Sequence, residues 1–125
     1  MPDPADLILI AGHIVLALGF LLLSFYFKKN PPKTINSWYG YRTHSSTKNQ
    51  NTWDEANRFS GQTMVRLSIL YCLISLILYF KVGGQSSFQL SGMILAALSV
   101  STLIFTEVHL KKMFDKEGKP KQIDK

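Results

Sequence analysis

Arg42 stands in a run of side chains that share one chemistry. A guanidinium presents five N–H donors in a plane, the shape that takes a carboxylate or a phosphate through two bonds at once, and Tyr41, Thr43, His44 and Ser46 flank it with further hydrogen-bonding groups. Two arrangements are open. In one, Arg42 joins Asn36, Thr43, Asn49 and Asn57 in a polar site for a peptide terminus, a lipid phosphate or a partner protein. In the other, Arg42 pairs with Asp54 or Glu55 to hold the segment against helix ends, while Asn36 and Asn57 bond backbone groups. His44 beside Asp54 or Glu55 raises general-base chemistry at a membrane surface. The chain has no His-x-x-x-His or Cys-x-x-Cys spacing, no Gly-rich phosphate loop and no Gly-x-Ser-x-Gly turn. Binding rather than catalysis, without cofactor or metal, is the expectation.

These residues belong to a polar block, Asn36 to Gly61, set between apolar runs. Leu7 to Phe27 has no formal charge and is interrupted only by Gly12, His13, Gly19 and Ser24; about 20 such residues cross the hydrocarbon of a bilayer as a helix. Met64 to Phe80 carries one charge, Arg66, near its start, where a long side chain reaches the headgroups; this short run borrows part of Gly61 to Thr63. Phe88 to about residue 108 is rich in small residues, Ser91, Gly92, Ala96, Ala97, Ser99 and Ser101, which let membrane helices approach closely. The expectation is an all-α integral membrane fold of three transmembrane helices, a membrane domain over 1–110 and a basic tail over 111–125. Asp3 and Asp6 precede the first run and no small-residue cleavage site follows it, so it reads as a membrane helix rather than a signal peptide.

The mean hydropathy of +0.09 hides this pattern because the charges lie outside the runs. Lys28 to Thr63 holds six basic residues, the segment after Leu110 another six, and the residues before Leu7 none. Positive charge concentrates on the cytoplasmic side, which predicts an N-terminus outside and the loop and tail in the cytoplasm, near anionic lipid. The net charge of +6 is then a topology signal, and the absence of aromatic interleaving in the tail argues against direct nucleic-acid binding. Cys72, alone in an apolar run, is expected to be a small buried hydrophobe. His13 is expected to stay neutral and bond a Ser or backbone group on a neighbouring helix, and Glu107 to pair with Arg66 at the inner helix ends.

Within the block, Pro31 and Pro32 stop the first helix, Lys33 to Tyr39 reads as extended, and Gly40 as a turn. Asn51 or Thr52 followed by Asp54 and Glu55 reads as a helix start. Trp53, Ala56, Asn57, Ser60 and Met64 then share one side of a short amphipathic surface helix that leads through Gly61 into the second span. Trp38, Tyr39, Tyr41 and Trp53 are expected to anchor at the interface. Three short helices bury little surface, so a larger membrane assembly or homo-oligomer is a further expectation.

Asn36, Gly40, Tyr41, Arg42 and Thr43, then Ser46, Lys48 and Asn49, then Trp53, Ala56, Asn57 and Gly61 make the pattern N-x-x-x-G-Y-R-T, S-x-K-N, W-x-x-A-N-x-x-x-G. This resembles the signature loop of the SdpI family of bacterial membrane proteins, between the first and second of three helices, and the likeness runs from Leu7 to about Leu110. The best-known member is larger; the chain resembles its C-terminal three-helix half and departs from similar sequences at Thr47, where an apolar Met is common. The resemblance implies a multi-pass protein of the bacterial cytoplasmic membrane acting in immunity or signal transduction. Its loop, with Asn36, Gly40, Tyr41, Arg42, Thr43, Ser46, Asn49, Trp53 and Asn57, would bind an antimicrobial peptide or a cytoplasmic repressor.

Overall fold

A computed structural model describes residues 1–122 and consists of three long helices, α1 (Pro4–Lys29), α2 (Gln50–Lys81) and α3 (Gly84–Met113). Each is long and apolar enough to cross a membrane. Local sequence sets the ends. Asp3 caps α1 by accepting the Ala5 N–H, with Pro4 in the first turn, where its missing donor costs nothing. Lys28 and Lys29 close α1 next to its negative dipole end. The turn between α2 and α3 is tight, with Gly83 at a φ of 69° as the N-cap of α3.

Asn49 starts α2, two to three residues earlier than the sequence pattern suggested. Its side chain accepts the Thr52 N–H at 3.0 Å while Thr52 Oγ1 accepts the Asn49 N–H at 3.1 Å, a reciprocal cap. The expected separate surface helix does not exist, because α2 runs unbroken from this cap into the membrane span. Gly61 does not interrupt it: a Cβ there would lie 3.3 Å from Lys28 Cα, so the glycine admits the end of α1 rather than breaking α2.

The interior is polar and the surface apolar. Facing lipid are Leu18, Leu22, Leu73, Ile77, Ile104 and many like them; buried between the helices are His13, Ser68, Tyr71, Ser75, Ser87 and Ser91. Lipid tails are as apolar as leucine, so packing and interhelical hydrogen bonds join such helices. His13 on α1 contacts Ser75 Oγ of α2 at 2.9 Å through Nδ1 and Ser87 Oγ of α3 at 3.0 Å through Nε2, bonding all three helices as anticipated for a neutral imidazole. Tyr71 and Ser91 meet at 2.6 Å, and Ser91 donates to Ser75 at 3.4 Å, extending the seam. The small residues of α3 divide: Ser91 packs inward, while Ala96, Ala97 and Ser99 are exposed.

After Met113 the chain does not simply trail away. Asp115 to Gly118 turns, Phe114 pairs with Pro120, and the Lys121 N–H donates to the Met113 carbonyl. Asn49 Nδ2 donates to the Gly118 carbonyl at 2.8 Å, so the start of the tail is clasped to the loop. Residues 123–125 of the expected basic tail lie outside the described residues.

Candidate functional site

The loop between α1 and α2 folds around two buried side chains. Trp53 is 0 % exposed and its indole N–H donates to the Pro32 carbonyl at 3.0 Å. Asn57, one helical turn on, accepts the Tyr41 N–H at 2.6 Å and donates to the Trp53 carbonyl at 2.9 Å. Gly40 must pass between Pro32 and Asn57. Its φ is 109°, a region where side chains are strained, and a Cβ would sit 2.4 Å from Pro32 Cγ and 2.7 Å from Asn57 Oδ1.

Past Gly40 the chain turns its hydroxyls inward. Tyr41 OH at 2.7 Å and Thr43 Oγ1 at 2.6 Å both donate to Glu107 Oε1 on α3. Alternate residues of an extended chain share a face, which lets one carboxylate serve both. Burial first, and then Glu107, pushes the Tyr41 phenol well up from its ordinary pKa, so it stays a donor. Ser46 is buried, accepts the Thr43 N–H at 2.8 Å and donates to the Tyr41 and Thr43 carbonyls. Asn36 accepts the Trp38 and Tyr39 N–H groups at 3.0 and 2.7 Å, so the expected extended stretch is bent.

The expected residues therefore separate by role. Asn36, Gly40, Tyr41, Thr43, Ser46, Asn49, Trp53 and Asn57 are joined to the frame of the loop, with Asn36 and Asn57 bonding backbone as the second arrangement anticipated. Arg42 is exposed and makes no hydrogen bond or ion pair among the described residues. It does not reach Asp54 or Glu55. Glu55 is taken by Arg58, at 2.9 Å from Nε, and by His109 Nε2 at 2.7 Å, while Asp54 accepts from Gln50. The Arg58 bond holds the Glu55 carboxyl below the usual range. His44 is exposed and makes no bond to either acid among the described residues.

Two further expectations change. Arg66 does not pair with Glu107, because the loop hydroxyls occupy that carboxylate and Arg66 points outward. Trp53 and Tyr41 are not surface anchors, being 0 % and 8 % exposed, whereas Trp38 is 83 % exposed. Trp53 fills the fold because its ring lies on the inner side of α2, where Pro32 supplies an acceptor. Sequence reasoning missed Glu107 as the shared acceptor, Pro32 as a packing partner and the Glu55–His109 pair, in which His109 also stacks on Phe59 at 3.9 Å. The Tyr41-x-Thr43 spacing was the available signal for a common acceptor.

Arg42 sits at the mouth of an open groove of about 500 Å³. Its walls are Phe20 and Phe27 of α1 and Ser99 and Leu103 of α3, and Met64 of α2 also lines it. Among the described residues no cluster of His, Cys, Asp and Glu suits a metal.

Comparison with known proteins gives a consistent assignment. The SdpI/YfhL protein family model matches residues 33–110, which include the loop, α2 and most of α3. The uncharacterized protein YfhL of Bacillus subtilis (strain 168) is 36 % identical over 110 residues, covering 88 % of this chain and 91 % of that protein. No solved structure matches. With its three membrane-length helices and this match, the chain is a multi-pass membrane protein belonging to the SdpI/YfhL family.

Proposed function

We propose that this protein is an SdpI-like immunity or signal-transduction protein of the bacterial cytoplasmic membrane, and that it acts by binding rather than catalysis. The observation that carries the reading is the contrast inside the loop. Eight of the nine positions singled out in it bond or pack within the fold, and the remaining one, Arg42, extends an unpaired guanidinium, among the described residues, over a groove. A rigid frame around one free cation suits recognition of an anionic group, since little ordering remains to be done on binding.

The distribution of Lys and Arg supports an N-terminus outside and a loop facing the cytoplasm. The family resemblance supplies the partner classes, an antimicrobial peptide or a cytoplasmic repressor. Catalysis has less support, because His44 meets no acid among the described residues and Glu55 is already held by Arg58 and His109.

The test is expression in a bacterium sensitive to a secreted toxin peptide, with wild type and Arg42→Ala at equal membrane abundance, alongside mass spectrometry of co-purifying polypeptides. Protection or a partner lost with Arg42 supports the reading. Identical survival and identical partners for both proteins overturn it.

A further inference from the structure

The groove below Arg42 has a chemistry of its own. One end is a guanidinium that no described residue neutralises; Phe20, Phe27, Met64 and Leu103 give the groove apolar walls, Tyr39, Tyr41, Ser60 and Thr102 add polar edges, and the small Ser99 leaves space on α3. Phe20 and Phe27 are seven residues apart on α1, so at a rise of 1.5 Å per residue the wall extends about 10 Å along the helix. Phe27 and Arg42 lie at the loop end of the groove, and Phe20 lies deeper in the span. An occupant must carry an anionic oxygen group at one end and a narrow apolar chain continuing into the hydrocarbon.

We infer that this groove is a binding site for an anionic phospholipid, its phosphate on Arg42 and one acyl chain between α1 and α3. Charge complementarity selects the anionic class. Among the described residues no carboxylate lines the groove to meet the ammonium of a zwitterionic headgroup, and Arg42 is the one formal charge they place there. Planar donors suit a phosphodiester's paired oxygens. Lys28 and Lys29, at the same end of α1, add to the positive field over that leaflet. Exposed Leu103 and half-buried Phe20, Phe27 and Met64 give the chain a surface no other helix covers.

The inference rests on the reading of Arg42 as the loop's contact residue and names the class of group it meets. A peptide with a carboxylate and an apolar side would compete for the same place.

The experiment reconstitutes the full chain in nanodiscs of phosphatidylglycerol and phosphatidylethanolamine, extracts it gently, and counts retained lipids by native mass spectrometry. Wild type is expected to retain phosphatidylglycerol in preference. Arg42→Gln should lower that retention about tenfold, the loss of one charge-assisted contact, and Arg42→Lys should recover part of it. Ser99→Phe, which fills the groove at an exposed position whose hydroxyl bonds only its own helix, should lower retention with Arg42 intact. Equal retention in wild type, Arg42→Gln and Ser99→Phe overturns the inference. If Arg42→Gln removes a polypeptide partner while lipid retention is unchanged, the lipid site falls and the recognition reading stands. If it removes the lipid and leaves protection and partners untouched, the lipid site stands and the recognition reading falls.

Discussion

Gly40→Ala places one methyl group where the loop has no room and the backbone has the wrong sign of φ. Holding alanine at a φ of 109° costs about 1–3 kcal/mol in a sparsely populated region. The methyl would lie 2.4 Å from Pro32 Cγ and 2.7 Å from Asn57 Oδ1. Neither neighbour yields easily: the Pro32 ring is rigid, and Asn57 is tied to the Trp53 carbonyl and the Tyr41 N–H. Overpacking of this kind adds about 1–3 kcal/mol. The sum, about 2–6 kcal/mol, falls on the loop alone, because the three spans are held by a separate seam. At 1.4 kcal/mol per tenfold, the loop should open at least about 30 times more often. Hydrogen–deuterium exchange in nanodiscs reads this directly, with faster exchange over residues 33–49 and at the Tyr41 amide, and unchanged protection in α1 and α3. Gly19→Ala is the control, since a Cβ there meets nothing within 4 Å. Wild-type exchange over residues 33–49 in Gly40→Ala would refute the assignment of Gly40 as the tight point of the loop.

Three other outcomes are expected. Asn57→Leu keeps side-chain volume but leaves the buried Tyr41 N–H without an acceptor, lowering loop stability by about 1–3 kcal/mol in the same exchange measurement. Thr43→Val should cost about 1.5–3 kcal/mol through its lost bond to a carboxylate, and much less in a Glu107→Gln background; strict additivity in a thermal-unfolding double-mutant cycle would rule out the shared acceptor. Glu55 has a carboxyl held by Arg58 below its ordinary value of about 4.5, so its contribution is complete above that pH and disappears as pH falls through the lower folded value. Unfolding midpoints of wild type should therefore fall toward those of Glu55→Gln as the solution is acidified below about 4.5, and parallel curves would contradict the Arg58 and His109 contacts.

The three helices were legible because each apolar run exceeds what a bilayer needs, and tertiary packing does not reverse that signal. His13 was legible too, since an imidazole at membrane depth must find a partner and serines were abundant. The passage of the helix through Gly61 was legible, but its reason was not: the glycine permits the α1–α2 approach at Lys28. Glu107 misled. Charge proximity along the helices suggested Arg66, but the loop folds back with Tyr41 and Thr43 over a distance in sequence that no local pattern records. The loop motif announced its importance; it did not announce that most of its residues build a frame. That division between frame and free guanidinium depends on who bonds to whom, and Arg42's lack of partners among the described residues separates it from the Tyr41 and Thr43 that flank it.

The serine–histidine seam fixes more than adhesion. Oily faces slide and rotate past one another with little penalty, but a hydrogen bond has a direction. Turning α1 by one residue, about 100° at 3.6 residues per turn, would carry His13 off both Ser75 and Ser87 and aim its ring at lipid, and no other imidazole lies along α1 to replace it. The bundle thus has one rotational setting, keyed in the half of the helices remote from the loop, and the loop at the opposite end inherits it. The spacing between Phe27 and Leu103, and hence the width of the mouth beneath Arg42, is set by a lock about four turns away.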